Sequence, residues 1–179
     1  MRLVISPLLL PYLIIVSASK QNALLNIIVA VIFVLLAITD FLDGFFARRY
    51  QLSTALGALL DPLADKFLLC AVLVALVATQ KIWFLWALIF LLREFIVMGV
   101  RSMALECGFS VPVSWAGKIK TVAQYSYLTI VLLNTGNHNY IRHIDMVESV
   151  LLCFSVIITI VSGYWYCASF INQLKKGKQ

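Results

Sequence analysis

Six apolar stretches follow one another along the chain, at 3–19, 21–48, 53–79, 82–104, 117–133 and 145–172, with only short polar joints between them. Crossing the hydrocarbon core of a bilayer takes about 20 mostly apolar residues in a helix, with a range of roughly 17–25. Inside lipid every backbone donor and acceptor must be satisfied within the segment itself, which favours helices. The uncharged part of the second stretch ends at Thr39. Composition agrees: 63% of residues are hydrophobic and 12% charged, against roughly 45–50% and about 25% in soluble domains. That balance excludes an ordinary water-soluble enzyme, a disordered chain and a nucleic-acid binder. The expected fold is an all-α membrane protein of six transmembrane helices. Short joints should make consecutive helices antiparallel neighbours, and no repeat or linker divides the single domain 1–179.

Positive charge gives the orientation. With six spans, Arg2, Arg48, Arg49, Lys66, Arg93, Arg101, Lys118, Lys120, Lys175, Lys176 and Lys178 fall on one side. Lys20, Lys81 and Arg142 fall on the other, which accounts for all 14 bases. Cytoplasmic segments carry the excess of Lys and Arg, so both termini are expected in the cytoplasm of a cell with this inner membrane. The surplus behind the net charge of +6 suits topology, anionic headgroups and anionic substrates. Cys70, Cys107, Cys153 and Cys167 show no metal or disulfide spacing and read as small buried hydrophobes. His138 and His143 have no carboxylate cluster near them, and 134–139 reads as an outside polar loop.

The acidic residues carry the chemistry. Of eight, four (Asp40, Asp43, Asp61 and Asp65) fall in one short stretch. Charge at membrane depth is expensive and faces a cavity or a partner. Asp40, Asp43, Gly44, Ala47 and Arg48 stand at i, i+3, i+4, i+7 and i+8, one stripe of a helix; Gly57, Asp61 and Asp65 form a second stripe at i, i+4 and i+8. A hairpin through 49–54 can bring the two stripes face to face. Four carboxylates around one point repel unless a hard divalent cation such as Mg²⁺ or Mn²⁺ compensates them. Arg48 on the same stripe suits a phosphate. The pattern points to metal-dependent phosphoryl transfer at the membrane surface. The structural alternatives are that Asp40 and Asp43 end the second span at the headgroups, and that Asp61-Pro62 caps a helix.

These residues resemble the CDP-alcohol phosphatidyltransferase family, whose motif is D-x2-D-G-x2-A-R-x8-G-x3-D-x3-D. Asp40, Asp43, Gly44, Ala47, Arg48, Gly57, Asp61 and Asp65 match all eight positions at the family's intervals. The resemblance implies a six-helix fold and two divalent ions held by Asp40, Asp43, Asp61 and Asp65, with Asp65 also the general base. It implies a CDP-lipid site in which Gly44, Ala47 and Gly57 make room and Arg48 faces the diphosphate. It also implies a homodimer. Arg93-Glu94, Arg101, the run from Val113 to Thr121 and Gln124 are similar to the branch of the family that joins CDP-diacylglycerol to glycerol 3-phosphate. The acceptor-site region would then be 93–124, with Arg93, Arg101, Lys118 and Lys120 as the phosphate-binding cations. In the sixth span the likeness is topological only. The family's Asn-x-x-Thr-x-x-Arg pattern before the first span is represented here by Arg2 alone.

The residues support a phosphorylated acceptor on their own account, because a small dianion needs fixed cations and these four lie on the cytoplasmic sides of spans four and five. Glu94 and Arg101, seven apart, share a helical face and are expected to pair. Headgroup anchoring is the alternative for each cation. Other readings are a same-family synthase for inositol phosphate or another alcohol, a cation transporter and a scaffold. A transporter would spread its acids over several spans or carry inverted repeats, and neither pattern is present. A scaffold gains nothing from four clustered carboxylates.

Overall fold

The computed structural model of the protein describes residues 2–20, 22–50, 55–109, 115–134 and 144–176; the side chains of 2–7, 40–65 and 176 lie outside the description. The described residues form six helices and no strand. They are α1 (Arg2–Lys20), α2 (Ala23–Tyr50), α3 (Ala55–Ala78), α4 (Phe84–Glu106), α5 (Trp115–Leu133) and α6 (Ile144–Lys176). Each expected apolar stretch is one helix, with ends within a few residues of the expected ones. Among the described residues, one segment, Ile144–Lys175, is long and apolar enough to cross a membrane; Leu8–Lys20, Ala23–Thr39 and Lys66–Ala78 are shorter apolar segments of α1, α2 and α3.

Helix ends follow local chemistry. Asn22 caps α2, its side-chain oxygen accepting the Leu24 N–H at 3.0 Å. At the end of α3 the Lys81 N–H reaches the Leu76 carbonyl at 2.9 Å and the Gln80 N–H reaches that of Val77 at 3.0 Å. This is a Schellman closure, in which the residue past the cap turns left-handed; Gln80 does so with φ 56°. The same closure ends α4, where Phe109 bonds to Ala104, Gly108 bonds to Leu105, and Gly108 takes φ 80°. There the turn lays Phe109 against Val97, Ala104 and Tyr166.

The chain divides into two compact units, Met1–Trp83 with Leu128–Asp145, and Phe84–Tyr127 with Met146–Gln179. In the first, α1 packs on α3 and α2. Its described interior is largely aliphatic: Leu10 and Ile14 of α1, Val29, Ala30 and Phe33 of α2, and Leu69, Val72, Leu73 and Leu76 of α3 are buried. One polar pair interrupts it, the Ser17 hydroxyl donating to the Asn26 side-chain carbonyl. At its edge the Lys81 ammonium donates to the Asn134 carbonyl at 2.9 Å, and the Asn134 amide donates to Asp145 at 3.0 Å.

The second unit is built the other way round. Its buried residues include Glu94, Lys120, Gln124, Ser155, Thr159 and Ser162, while Leu92, Phe95, Ile96, Val122, Phe154, Ile157 and Ile160 are exposed. A water-soluble helix puts its charges outside; polar-in and apolar-out is the arrangement lipid requires. The cysteines correct the sequence expectation: Cys70 and Cys167 are only half-buried, and Cys107 and Cys153 are exposed, all as free thiols. On a lipid-facing surface a thiol is as acceptable as a methyl group, so an apolar neighbourhood in sequence does not imply burial.

Candidate active site

The motif lies on two consecutive helices. Asp40, Asp43, Gly44, Ala47 and Arg48 belong to α2, Gly57, Asp61 and Asp65 to α3, and 51–54 joins them. The side chains of all eight, and with them the expected meeting of the two stripes, lie outside the described residues. Two points of backbone bear on the alternatives. Helix α3 begins at Ala55, six residues before Asp61, so Asp61 is inside the helix and is not its cap. Helix α2 runs on to Tyr50, past Asp40 and Asp43, which follow directly on its apolar part Ala23–Thr39. Inside the helix Asp61 has no orphan backbone N–H to satisfy, so its presence there needs another reason. The donor set supplies one: four carboxylate groups, all hard oxygen donors, on two helices suit Mg²⁺ or Mn²⁺. Among the described residues no group of His, Cys, Asp and Glu could hold a metal.

The second unit places the expected acceptor-site residues. On α4, Phe90, Glu94, Val97 and Ala104 form the buried stripe, with Arg93 beside it; on α5 the buried polar residues are Lys120 and Gln124; on α6 they are Ser155, Thr159 and Ser162. Glu94 is the junction. It is 4% exposed, Lys120 is 3% exposed, and the Lys120 ammonium donates to Glu94 Oε1. The same oxygen accepts Arg93 Nη1 at 3.3 Å. Arg93 Nε donates to Ser162 Oγ at 3.2 Å, and the Ser162 hydroxyl donates to the Thr159 carbonyl at 3.0 Å. One hydrogen-bonded chain thus ties α5 to α4 and α4 to α6. Space for it is made by Gly163, where an added Cβ would stand 3.3 Å from Arg93 Cγ.

The chain is incomplete in an informative way. Arg93 Nη2 is buried with no hydrogen-bond partner among the described residues, as are both amide atoms of Gln124 and the hydroxyls of Ser155 and Thr159. Buried polar groups are almost always paired, so a set of orphans marks a place for water or a ligand. The orphan donor on a cation is suited to an anion.

The four expected phosphate cations are not all brought together. Arg93 and Lys120 share Glu94. Arg101, on the exposed face, lays its guanidinium carbon 5.7 Å from the centroid of the Tyr166 ring, as Arg93 does from the same ring. Lys118 is exposed and lies 5.0 Å from the ring centroid of Trp115, which is 78% exposed. The partners found for Glu94 are Lys120 and Arg93 where spacing suggested Arg101. Sequence reasoning missed Gly163 and the α6 residues Ser155, Thr159, Ser162 and Tyr166. Their signal was present: positions i, i+4, i+7 and i+11 make one stripe of hydroxyl-bearing residues on an otherwise apolar helix.

Comparison with known proteins decides the family. The signature described as CDP-alcohol phosphatidyltransferase matches residues 1–161. The chain belongs to the CDP-alcohol phosphatidyltransferase family. A Rickettsia bellii protein named CDP-diacylglycerol--glycerol-3-phosphate 3-phosphatidyltransferase is 38% identical over 146 residues, spanning 82% of this chain and 80% of its own. A Yersinia enterocolitica protein of the same name is 39% identical over 141 residues, 76% of this chain and 75% of its own. As a member of this family the chain is a membrane transferase of phospholipid biosynthesis, and the family depends on divalent metal.

Proposed function

We propose that this protein transfers the phosphatidyl group of CDP-diacylglycerol to glycerol 3-phosphate, giving phosphatidylglycerophosphate and CMP. The transferase motif and the activity for which its relatives are named support the reaction. The observation that carries the choice of a phosphorylated acceptor is the buried Arg93, held by Glu94, Ser162 and Tyr166 with one guanidinium nitrogen left over. A neutral alcohol would give that nitrogen nothing it could not have from water.

The six helices form one catalytic domain that spans the inner membrane six times, with both termini and the motif on the cytoplasmic side. The apolar outward surface of α2, α4 and α6 supports lipid contact, and the basic end of α6 suits anionic headgroups. The acyl chains of CDP-diacylglycerol stay in the leaflet while its head reaches the motif. Gly44, Ala47 and Gly57 leave room for the cytidine nucleotide, and Arg48 faces its diphosphate. Asp40, Asp43, Asp61 and Asp65 are the residues that would hold two divalent ions, Mg²⁺ or Mn²⁺, which neutralise charge developing on the attacking and leaving oxygens.

Arg93 and Arg101 of α4, with Lys118 and Lys120 of α5, hold the acceptor phosphate. Asp65 takes the proton from the sn-1 hydroxyl. That oxygen forms a new bond to the phosphorus bearing diacylglycerol, and the bond from this phosphorus to CMP breaks. A base surrounded by carboxylates and cations needs position more than a raised pKa. Two copies of the chain are expected to form a homodimer. The test is a reconstituted assay with labelled CDP-diacylglycerol and each alcohol in turn. Glycerol 3-phosphate should give CMP and labelled lipid product; release of CMP only with inositol, inositol phosphate, serine or phosphatidylglycerol would reassign the acceptor.

A further inference from the structure

Arg93 and Arg101 stand eight residues apart on α4, a rise of about 12 Å, yet both guanidinium carbons lie 5.7 Å from the centroid of one ring, that of Tyr166. The ring is 4% exposed. It sits in a cluster with Val97 and Ala104, against which Phe109 and Phe170 pack, and the two phenylalanine rings are themselves 5.7 Å apart. So the ring is fixed by its surroundings, and the two flexible side chains converge on it. Each charge is attracted by the negative face of the ring. Glu94 compensates Arg93, and among the described residues Arg101 has no carboxylate partner. Two like charges converging on one ring make a place that favours an anion.

We propose that Tyr166 is a positioning residue: it gathers the guanidiniums of Arg93 and Arg101 about one ring so that both act on one acceptor phosphate, and so selects phosphorylated acceptors over neutral polyols. This rests on the reading that the acceptor phosphate binds these arginines.

The test uses the full chain in mixed micelles, with steady-state kinetics against each substrate. Tyr166→Leu should raise KM for glycerol 3-phosphate on the order of tenfold while kcat and KM for CDP-diacylglycerol stay within about twofold. Tyr166→Phe keeps the ring and should restore the wild-type KM. Arg101→Gln, an exposed substitution that folding tolerates, should raise the same KM, and the double variant should show less than the product of the two effects because both act on one contact. An unchanged KM for glycerol 3-phosphate in Tyr166→Leu, an equal rise in both KM values, or a Phe variant no better than Leu overturns the proposal. If Tyr166→Leu does not fold, Arg101→Gln decides, and an unchanged KM there overturns it. A wild-type protein that uses another alcohol and releases no CMP with glycerol 3-phosphate overturns the functional reading itself, an outcome distinct from the variant results.

Discussion

Glu94→Gln removes a single negative charge from the centre of the second unit and changes almost nothing in shape. The cost follows from where that charge sits. The Glu94 side chain is 5% exposed, that of Lys120 is 3% and that of Arg93 is 10%. Ion pairs at a surface contribute about 0–1 kcal/mol. Leaving a buried partner uncompensated costs about 3–5 kcal/mol, and here two cations lose the same partner. For a chain of this length about 1 kcal/mol moves Tm by roughly 2–4 °C, so Glu94→Gln should lower Tm by about 10 °C. Helical circular dichroism during heating, in one detergent and at one protein concentration, measures it. Lys120→Met alone should also destabilise. The double variant Glu94→Gln, Lys120→Met should recover part of the loss, since both charges then leave the interior. A Tm for Glu94→Gln within about 2 °C of wild type would refute the view that this carboxylate organises the unit.

Three further outcomes are expected. Asp65→Asn should cut CMP release by about 10²–10⁴-fold, the scale of a lost general base, while a fluorescent cytidine nucleotide still binds; near-wild-type turnover would remove Asp65 from the role. Chelation should abolish activity and Mg²⁺ or Mn²⁺ restore it, with Asp40→Asn and Asp61→Asn each shifting the metal concentration needed to higher values in a titration. Gly163→Val should push Arg93 from its place, since the first added carbon alone meets Arg93 Cγ at 3.3 Å. Overpacking of this kind costs about 1–3 kcal/mol and should appear as a lower Tm and a higher KM for glycerol 3-phosphate.

The helices were legible in the sequence because length and apolarity decide them. The fourth stretch, expected at 82–104, is Phe84–Glu106. The sixth runs past Asn172 to Lys176, since Gln, Leu and Lys prolong a helix well after hydropathy has faded. Spacing within one helix also gave the motif, and α3 running through Asp61 removes the capping alternative. Spacing could not give partners on other helices. Glu94 was matched with Arg101 by a seven-residue interval, but Lys120 comes from α5 to meet it, and no pattern internal to α4 carries that information. Ser155, Thr159, Ser162 and Tyr166 went unread for a related reason: a span judged only by whether it crosses the membrane is read for its apolar majority. In lipid the informative face is the polar minority.

If the acceptor is glycerol 3-phosphate, its own phosphate ends in the lipid. Glycerol 3-phosphate carrying labelled phosphorus, incubated with the purified protein, unlabelled CDP-diacylglycerol and Mg²⁺, measures this directly. Label should enter the organic phase in one-to-one ratio with CMP released. Label that stays in the aqueous phase while CMP appears, or no CMP at all while another alcohol supports its release, would contradict it.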